Sequence, residues 1–293
     1  MENTSKLNVL ILAAGLGTRL RPLTNEIPKP LVPIVDKSIL ELQAIKACAI
    51  GDVCLHANAH YLYEQVVLEG ARLGFEKVWV EPKILGTAGP LKRIYNEGYR
   101  GGLLIMNGDA FCAFDLCKFV KNAEKCGSDI ALLAVDCPKV NTFRVGSDGC
   151  LVGIAGRFGS DAETRATFSG VSWYSDRALS RIRDDEFDIR EFWKQEILAS
   201  RAPFVDMSQL HATWIDMGSP EGLMEACDAR LKELNRSGES VVEPSVKIPS
   251  SATVKHSVLF DGAVVHENEI VENEIRGKNF IWKIENKRSG GVI

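Results

Sequence analysis

Two cations and two carboxylates stand in this chain in settings that suit phosphate chemistry. The apolar run Leu10-Ile-Leu-Ala13-Ala14 ends in Gly15-Leu-Gly17-Thr18-Arg19. Glycines at such a point let the backbone turn tightly and bring its N–H groups against phosphate oxygens. Farther on, Lys29 lies between Pro28 and Pro30. Proline locks its own φ and restricts the residue before it, so the ammonium is presented from a stiff segment, as charge stabilisation requires. Two commoner glycine loops are disfavoured. The dinucleotide fingerprint wants a third glycine where Leu20 stands, and the chain contains no Gly-Lys-Ser/Thr. The carboxylates follow apolar runs: Asn107-Gly108-Asp109 after residues 103–106, and Asp216 within Trp214-Ile-Asp-Met-Gly-Ser-Pro220. Alone, the first tripeptide reads rather as a turn without chemistry. Together, two converging carboxylates suit Mg²⁺, a hard cation that takes oxygen ligands and keeps substrate phosphates in its shell.

These groups need a frame, and the hydrophobic periodicity supplies one. Strand-like stretches at 8–13, 53–58, 78–80 and 103–106 alternate with helical ones at 39–50, 61–73, 91–97 and 116–125. That alternation predicts a doubly wound α/β domain, a mostly parallel sheet with helices on both faces and ligands beyond the carboxyl ends of the strands. After residues 130–135 the signals turn antiparallel, with a hairpin of 142–145 and 151–155 around Ser147-Asp-Gly149. An extended piece at 167–174, helices near 177–183 and 189–198, and strands near 204–207 and 213–215 lead to a helix at 219–234, with Ser219 as its cap and Pro220 in its first turn. The polar stretch 235–240 reads as a linker. Beyond it, small or apolar residues recur at a spacing near six up to about residue 275, which predicts a short left-handed parallel β-helix, with ordinary antiparallel strands as the alternative. So short a segment must pack on the main domain or on a second copy, which would make a homo-oligomer.

The 293 residues, 45% of them hydrophobic, can bury a large core. A net charge of -4 offers no broad basic field, so nucleic acid is not an expected partner. No basic segment followed by an apolar core opens the chain, and no continuous apolar run approaches ~18 residues, so a membrane is not expected either. The 8 cysteines show no Cys-x-x-Cys pair and no histidine at ligand spacing. They read as small buried hydrophobes in a reducing compartment, hence a cytoplasmic protein, with a zinc site as the lesser alternative. None of the 5 histidines falls in a motif; His60 follows a strand and reads as structural. The absence of Gly-x-Ser-x-Gly leaves a covalent serine route unsupported.

Taken whole, the stretch from Leu10 to Pro33, with Thr18, Arg19, Pro28, Lys29 and Pro30 in order, resembles the signature of the sugar-phosphate nucleotidyltransferases. Asn107-Gly108-Asp109 and the segment around Asp216 resemble the two metal-binding motifs of that family. The resemblance covers residues 7–234 strongly and the tail weakly. It implies a nucleotide-diphospho-sugar transferase fold, with a catalytic domain over 1–234 and the β-helix-like segment over 241–293. It also implies an activity: transfer of a nucleoside monophosphate from an NTP to a sugar 1-phosphate, with release of pyrophosphate. Mg²⁺ is the implied cofactor, on Asp109 and Asp216. Arg19 at the departing pyrophosphate and Lys29 near the α-phosphate are the implied catalytic groups, with Ala13, Ala14, Gly15, Gly17 and Thr18 as NTP-binding positions. Glu81, Gly86, Thr87, Ala88 and Gly89 match the segment that lies along the base in relatives. Asn107 and Gly108, together with Ser169 and Gly170 of Phe168-Ser-Gly-Val171, are the implied sugar contacts. The Glu-Lys-Pro triplet whose lysine holds the sugar phosphate in many relatives is missing. Arg157 lies in the corresponding stretch, and a bidentate guanidinium there could replace that lysine, an exposed structural arginine being the alternative. A second function in the same family is a catalytically silent regulatory subunit that binds nucleotide sugars. Retention of Arg19, Lys29, Asp109 and Asp216 favours the enzyme.

Overall fold

The segment Leu7–Leu12 is apolar on both faces, with Val9, Leu10 and Ile11 fully buried, and it becomes a central strand of a mixed sheet. In the computed structural model, which describes residues 6–285, it pairs in parallel with Val53–Ala59 on one side and Leu103–Asn107 on the other, and Lys77–Val80 adds a fourth parallel strand. Residues 1–5 and 286–293, the outer ends of the two expected segments, lie outside the described residues. Alternate side chains feed two cores. Leu10, Ile105 and Leu132 lie on one face, and Val9, Ile11, Met106 and Leu133 on the other.

The parallel order stops at Leu103–Asn107. Its other neighbour, the long strand Thr164–Tyr174, is antiparallel, and that strand also carries Ile130–Val135 and the hairpin of Phe143–Val145 and Leu151–Ile154. The sheet thus changes direction beside the loop that bears Asp109, and crevices of this kind at the carboxyl ends of strands are where open α/β sheets bind ligands. Helices at Ile39–Cys48, Leu116–Lys125, Ile189–Leu198 and Pro220–Glu233 fall at or within two or three residues of their expected bounds, and Ser219 caps the last by accepting from the Gly222 N–H at 3.2 Å. Among the elements not foreseen, one bears on the site. Ala110–Cys112 pairs antiparallel with Trp214–Asp216, a ribbon of three residues a side that is too short for periodicity to reveal.

His56, on the second parallel strand, has no exposed surface and meets Tyr99 edge-on at 4.6 Å between centroids. Burial, aided by the Lys77 charge, pushes its pKa down to about 4. The folded protein therefore keeps this ring neutral while the unfolded chain protonates it below about pH 6.5. Stability should fall as pH drops through that window, with His56 contributing about 3 kcal/mol of the loss by pH 4. Urea unfolding at stepped pH checks this: His56→Gln should flatten the slope between pH 6.5 and 4, and an unchanged slope would contradict the assignment.

In the tail, Val241–Val242, Val258–Leu259 and residues 275–276 stack in parallel, and Thr253–Lys255 stacks in parallel on Ile270–Glu272. The step between rungs is 17 residues, and it recurs in hydrogen bonds from Ser257 N to Ser240 Oγ and from Glu274 N to Ser257 Oγ. Antiparallel pairing is confined to the closing hairpin of Glu274–Gly277 and Phe280–Lys283. Val258, Phe260 and Ile275 bury with Leu223, Met224 and Cys227 of the helix Pro220–Glu233. Of the two expected packings, the main domain is the one seen. Full burial of each such side chain is worth roughly 1.5–3 kcal/mol. Truncation after Leu234 should therefore give a protein that aggregates or melts at least ~5 °C lower by calorimetry; a soluble truncation with unchanged Tm would make the tail a passive appendage.

Candidate active site

The glycine loop is built as a wall against the lysine segment. Gly17 has a left-handed backbone at φ 61°, and a Cβ there would stand 3.0 Å from Thr24 and 3.3 Å from Lys29. Thr24 Oγ1 donates to the Gly17 carbonyl at 2.7 Å, tying the two segments together. Gly15 corrects the expectation of a second forced turn: its φ lies outside the left-handed region and nothing approaches within 4 Å of where a Cβ would sit. Its bareness instead leaves room in a cavity of about 300 Å³ lined by Gly15, Gly17, Arg19, Lys29, Asp109 and Gly218. Thr18 and Arg19 are exposed beside it, whereas Ala13 and Ala14 are buried.

Lys29, though almost wholly buried, places its Nζ 2.8 Å from Asp109 Oδ2. Across the cavity Arg19 lies over Gly218, where any Cβ would collide with the guanidinium, and Arg19 Nη1 stands 3.6 Å from Asp216 Oδ2. The unforeseen ribbon brings the two aspartates together: it pairs Ala110 with Asp216, and Met217 N donates to the Asp109 carbonyl at 3.2 Å. Behind it, Gln43 is 2% exposed and its amide donates to the Ala110 carbonyl at 2.9 Å. Gln43 escaped the sequence reading because it is a lone polar residue inside a helical pattern.

The loop expected along the base is held differently from expectation. Ala13 N donates to Asn58 Oδ1 at 2.8 Å, Asn58 Nδ2 donates to Glu81 Oε1 at 2.8 Å, and Leu85 N donates to Glu81 Oε2 at 2.9 Å. Glu81 is only 1% exposed. Its carboxylate therefore joins two loops and shapes the segment expected along the base. Thr87 and Ala88 are anchored as well: both N–H groups donate to the Phe187 carbonyl, at 2.9 and 3.1 Å, and Thr87 Oγ1 accepts from Ile189 N. Gly86 and Gly89 are required by their protein neighbours, since a Cβ would strike Phe187 at the first and Leu85 at the second. His60 bonds the Glu81 carbonyl at 2.7 Å, a structural partnership.

On the sugar side, Leu12, Thr87, Asn107, Phe168, Arg190 and Trp193 line a cavity of about 210 Å³. Gly170, at φ 86°, lies where a Cβ would press into the Asn107 amide at 2.8 Å, and Gly108 N donates to the Leu12 carbonyl at 2.9 Å, so both glycines shape the Asn107 turn. Ser169, also expected at the sugar, is buried, and its hydroxyl donates to the Leu133 carbonyl at 2.7 Å within the sheet. Arg157 lies in a separate groove with Ala155, Phe158 and Ser160, where its Nη1 stands 3.2 Å from Asp188. Asp188 also takes both Nε and Nη2 of Arg190, at 2.7 and 2.8 Å. Burial pushes Asp188 up, but the Arg190 hydrogen bonds outweigh it and hold this carboxyl below the usual range.

With this geometry in place, comparison with known proteins is decisive. Residues 8–144 match the family model described as nucleotidyl transferase. The chain thus carries a nucleotidyl transferase domain over these residues. It is similar to the mannose-1-phosphate guanylyltransferase catalytic subunit beta of Drosophila pseudoobscura pseudoobscura, at 27% identity over 265 residues, covering 86% of this chain and 68% of that one. It is also similar to the D-glycero-alpha-D-manno-heptose 1-phosphate guanylyltransferase of Campylobacter jejuni, at 35% identity over 126 residues, 41% of this chain and 55% of that one. Among solved structures, HddC from Yersinia pseudotuberculosis complexed with GMP-PN shares the fold at a TM-score of 0.60 and 23% identity, covering 76% of this chain and 99% of that one.

The carboxylate pair fits a hard divalent cation. Both donors are oxygens, the Asp109 and Asp216 side chains are 42% and 50% exposed, and Asp109 Oδ1 has no protein partner among the described residues. Among those residues no group of three or more His, Cys, Asp or Glu converges to enclose a metal. A cation held there would complete its shell with water and phosphate oxygens, as Mg²⁺ prefers.

Proposed function

We propose that this chain transfers a nucleoside monophosphate from an NTP to a sugar 1-phosphate, giving an NDP-sugar and pyrophosphate. The observation that carries this reading is the convergence of Lys29, Asp109, Arg19 and Gly218 on one cavity beside the glycine loop. A phosphate oxygen of the sugar 1-phosphate attacks the α-phosphorus in line; the new P–O bond forms as the bond to the β-phosphate oxygen breaks, and pyrophosphate leaves with that electron pair. The attacking oxygen is already anionic near neutral pH, so no protein base is required. Lys29, fixed from both sides by proline, neutralises charge at the α-phosphate, and Arg19 steadies the departing pyrophosphate. Asp109 and Asp216 would hold Mg²⁺, which when bound neutralises phosphate charge and orients the phosphate oxygens.

The reading includes a cytoplasmic setting, supported by eight free cysteines. It also includes self-association through the tail, where Val264, Ile270 and Ile281 are exposed; light scattering tests that part. Among the described residues no helix is long and apolar enough to cross a membrane. Pyrophosphate release, measured across the four NTPs against a panel of sugar 1-phosphates with Mg²⁺ present or withheld, tests the activity. One or more pairs should turn over only with the metal. Nucleotide-sugar binding without turnover of any pair would favour the silent regulatory subunit instead.

A further inference from the structure

The missing Glu-Lys-Pro triplet leaves the acceptor without its expected cation, and the site contains another. Asp188 is shared by Arg157 and Arg190, so one carboxylate faces two guanidinium groups and the cluster keeps a net positive charge. The two arginines are not equivalent. Arg157 belongs to the outer groove, whereas Arg190 lines the same cavity as Asn107, beside the loop that carries Asp109. Arg190 is also preorganised: Nε and Nη2 each donate to Asp188, which fixes the plane of the fork and leaves Nη1 without a hydrogen-bond partner among the described residues. The segment that bears it is anchored in turn, because the Phe187 carbonyl accepts from Thr87 N and Ala88 N and Ile189 N donates to Thr87 Oγ1. The rest of the wall is mostly apolar and includes Leu12, Phe168 and Trp193, with Phe168 and Trp193 in edge-on contact at 5.1 Å, beside the hydroxyl-bearing Thr87, Ser172 and Tyr174. A cavity with apolar and aromatic walls and one fixed guanidinium at its side suits a ring that carries a negatively charged group.

We propose that Arg190 binds an oxyanion of the sugar substrate and so determines which acceptors this enzyme takes. This rests on the transferase reading above. The oxyanion is either the 1-phosphate itself or an acid carried on the sugar ring; the guanidinium chemistry is the same, and the choice of acceptor separates them. Loss of a charge-assisted contact of this kind should raise the acceptor KM about 10- to 100-fold. The NTP KM should move less than ~3-fold, since the NTP phosphates lie by Arg19 and Lys29. Arg190→Lys should recover only part of the loss, because an ammonium cannot reproduce the fork.

The test measures KM and kcat of wild type, Arg190→Ala, Arg190→Lys and Arg157→Ala with mannose 1-phosphate and with N-acetylmuramate 1-phosphate, alongside calorimetric titration of both sugar phosphates and melting temperatures. A raised KM for both acceptors in Arg190→Ala assigns the 1-phosphate; a rise for N-acetylmuramate 1-phosphate alone assigns the ring acid. Either result with folded variants and a smaller change in Arg157→Ala supports the proposal. Unchanged acceptor KM and unchanged calorimetric affinity in Arg190→Ala, or a larger change in Arg157→Ala, would overturn it. If wild type binds these sugar phosphates yet no pair of the NTP and sugar 1-phosphate panel turns over, the transferase reading fails while the Arg190 titration still decides this one. A wild type that binds neither overturns this proposal, and the panel alone decides the transferase reading.

Discussion

Replacing Lys29 with methionine is expected to lower kcat by about 10²–10³, the usual consequence of deleting one preorganised transition-state donor. The size follows from how the side chain is held. Lys29 is 7% exposed, sits between Pro28 and Pro30, and directs its ammonium at Asp109 from 2.8 Å, so almost no reorganisation precedes the reaction. Methionine keeps the length and the apolar stem, which separates loss of charge from loss of packing. Asp109 remains 42% exposed and can be solvated when its partner disappears, so the variant should fold. Steady-state kinetics decide between two roles: a fall in kcat with little change in the NTP KM means that the contact strengthens in the transition state. A raised KM at unchanged kcat would show that Lys29 only anchors ground-state phosphate.

The sequence made the frame and the charged groups legible, and it did so for physical reasons. Continuous apolar strands, capped helices and the proline-flanked lysine are local features, and each is found near its expected place. What escaped were pairings between distant residues. Asp109 and Asp216 meet through a ribbon three residues wide, and Gln43 braces that ribbon from a helix far upstream in sequence. Ser169 and Glu81 show the converse. Each sits in a segment that matches the family pattern, but Ser169 falls where the pairing with Ile130–Val135 shifts register and its hydroxyl takes the Leu133 carbonyl, and Asn58 draws Glu81 inward. A pattern of letters gives the segment that passes a ligand, while the pleat and the buried partners decide which side chains face it. Arg190 belongs to the same class, a charged residue at a helix start with no motif to announce it, recognisable only once the cavity is formed.

Converting Asp216 to asparagine should reduce turnover by on the order of 10² or more at moderate Mg²⁺, with the fold preserved because volume and shape are retained. Two mechanisms predict some loss, since Asp216 also stands 3.6 Å from Arg19. Metal dependence separates them. If Asp216 helps hold the cation, one anionic ligand is gone and the Mg²⁺ concentration for half-maximal rate should rise at least ~10-fold, with part of the rate restored by excess metal. If Asp216 merely orients Arg19, the half-saturating Mg²⁺ stays put and no amount of metal helps. Asp109→Asn should shift the metal dependence in the same direction but recover less, because it also strips the buried Lys29 of the carboxylate that fixes it. A variant at position 216 with a near-wild-type rate at limiting Mg²⁺ would remove that aspartate from the metal site. It would leave Asp109 as the sole protein carboxylate of the pair.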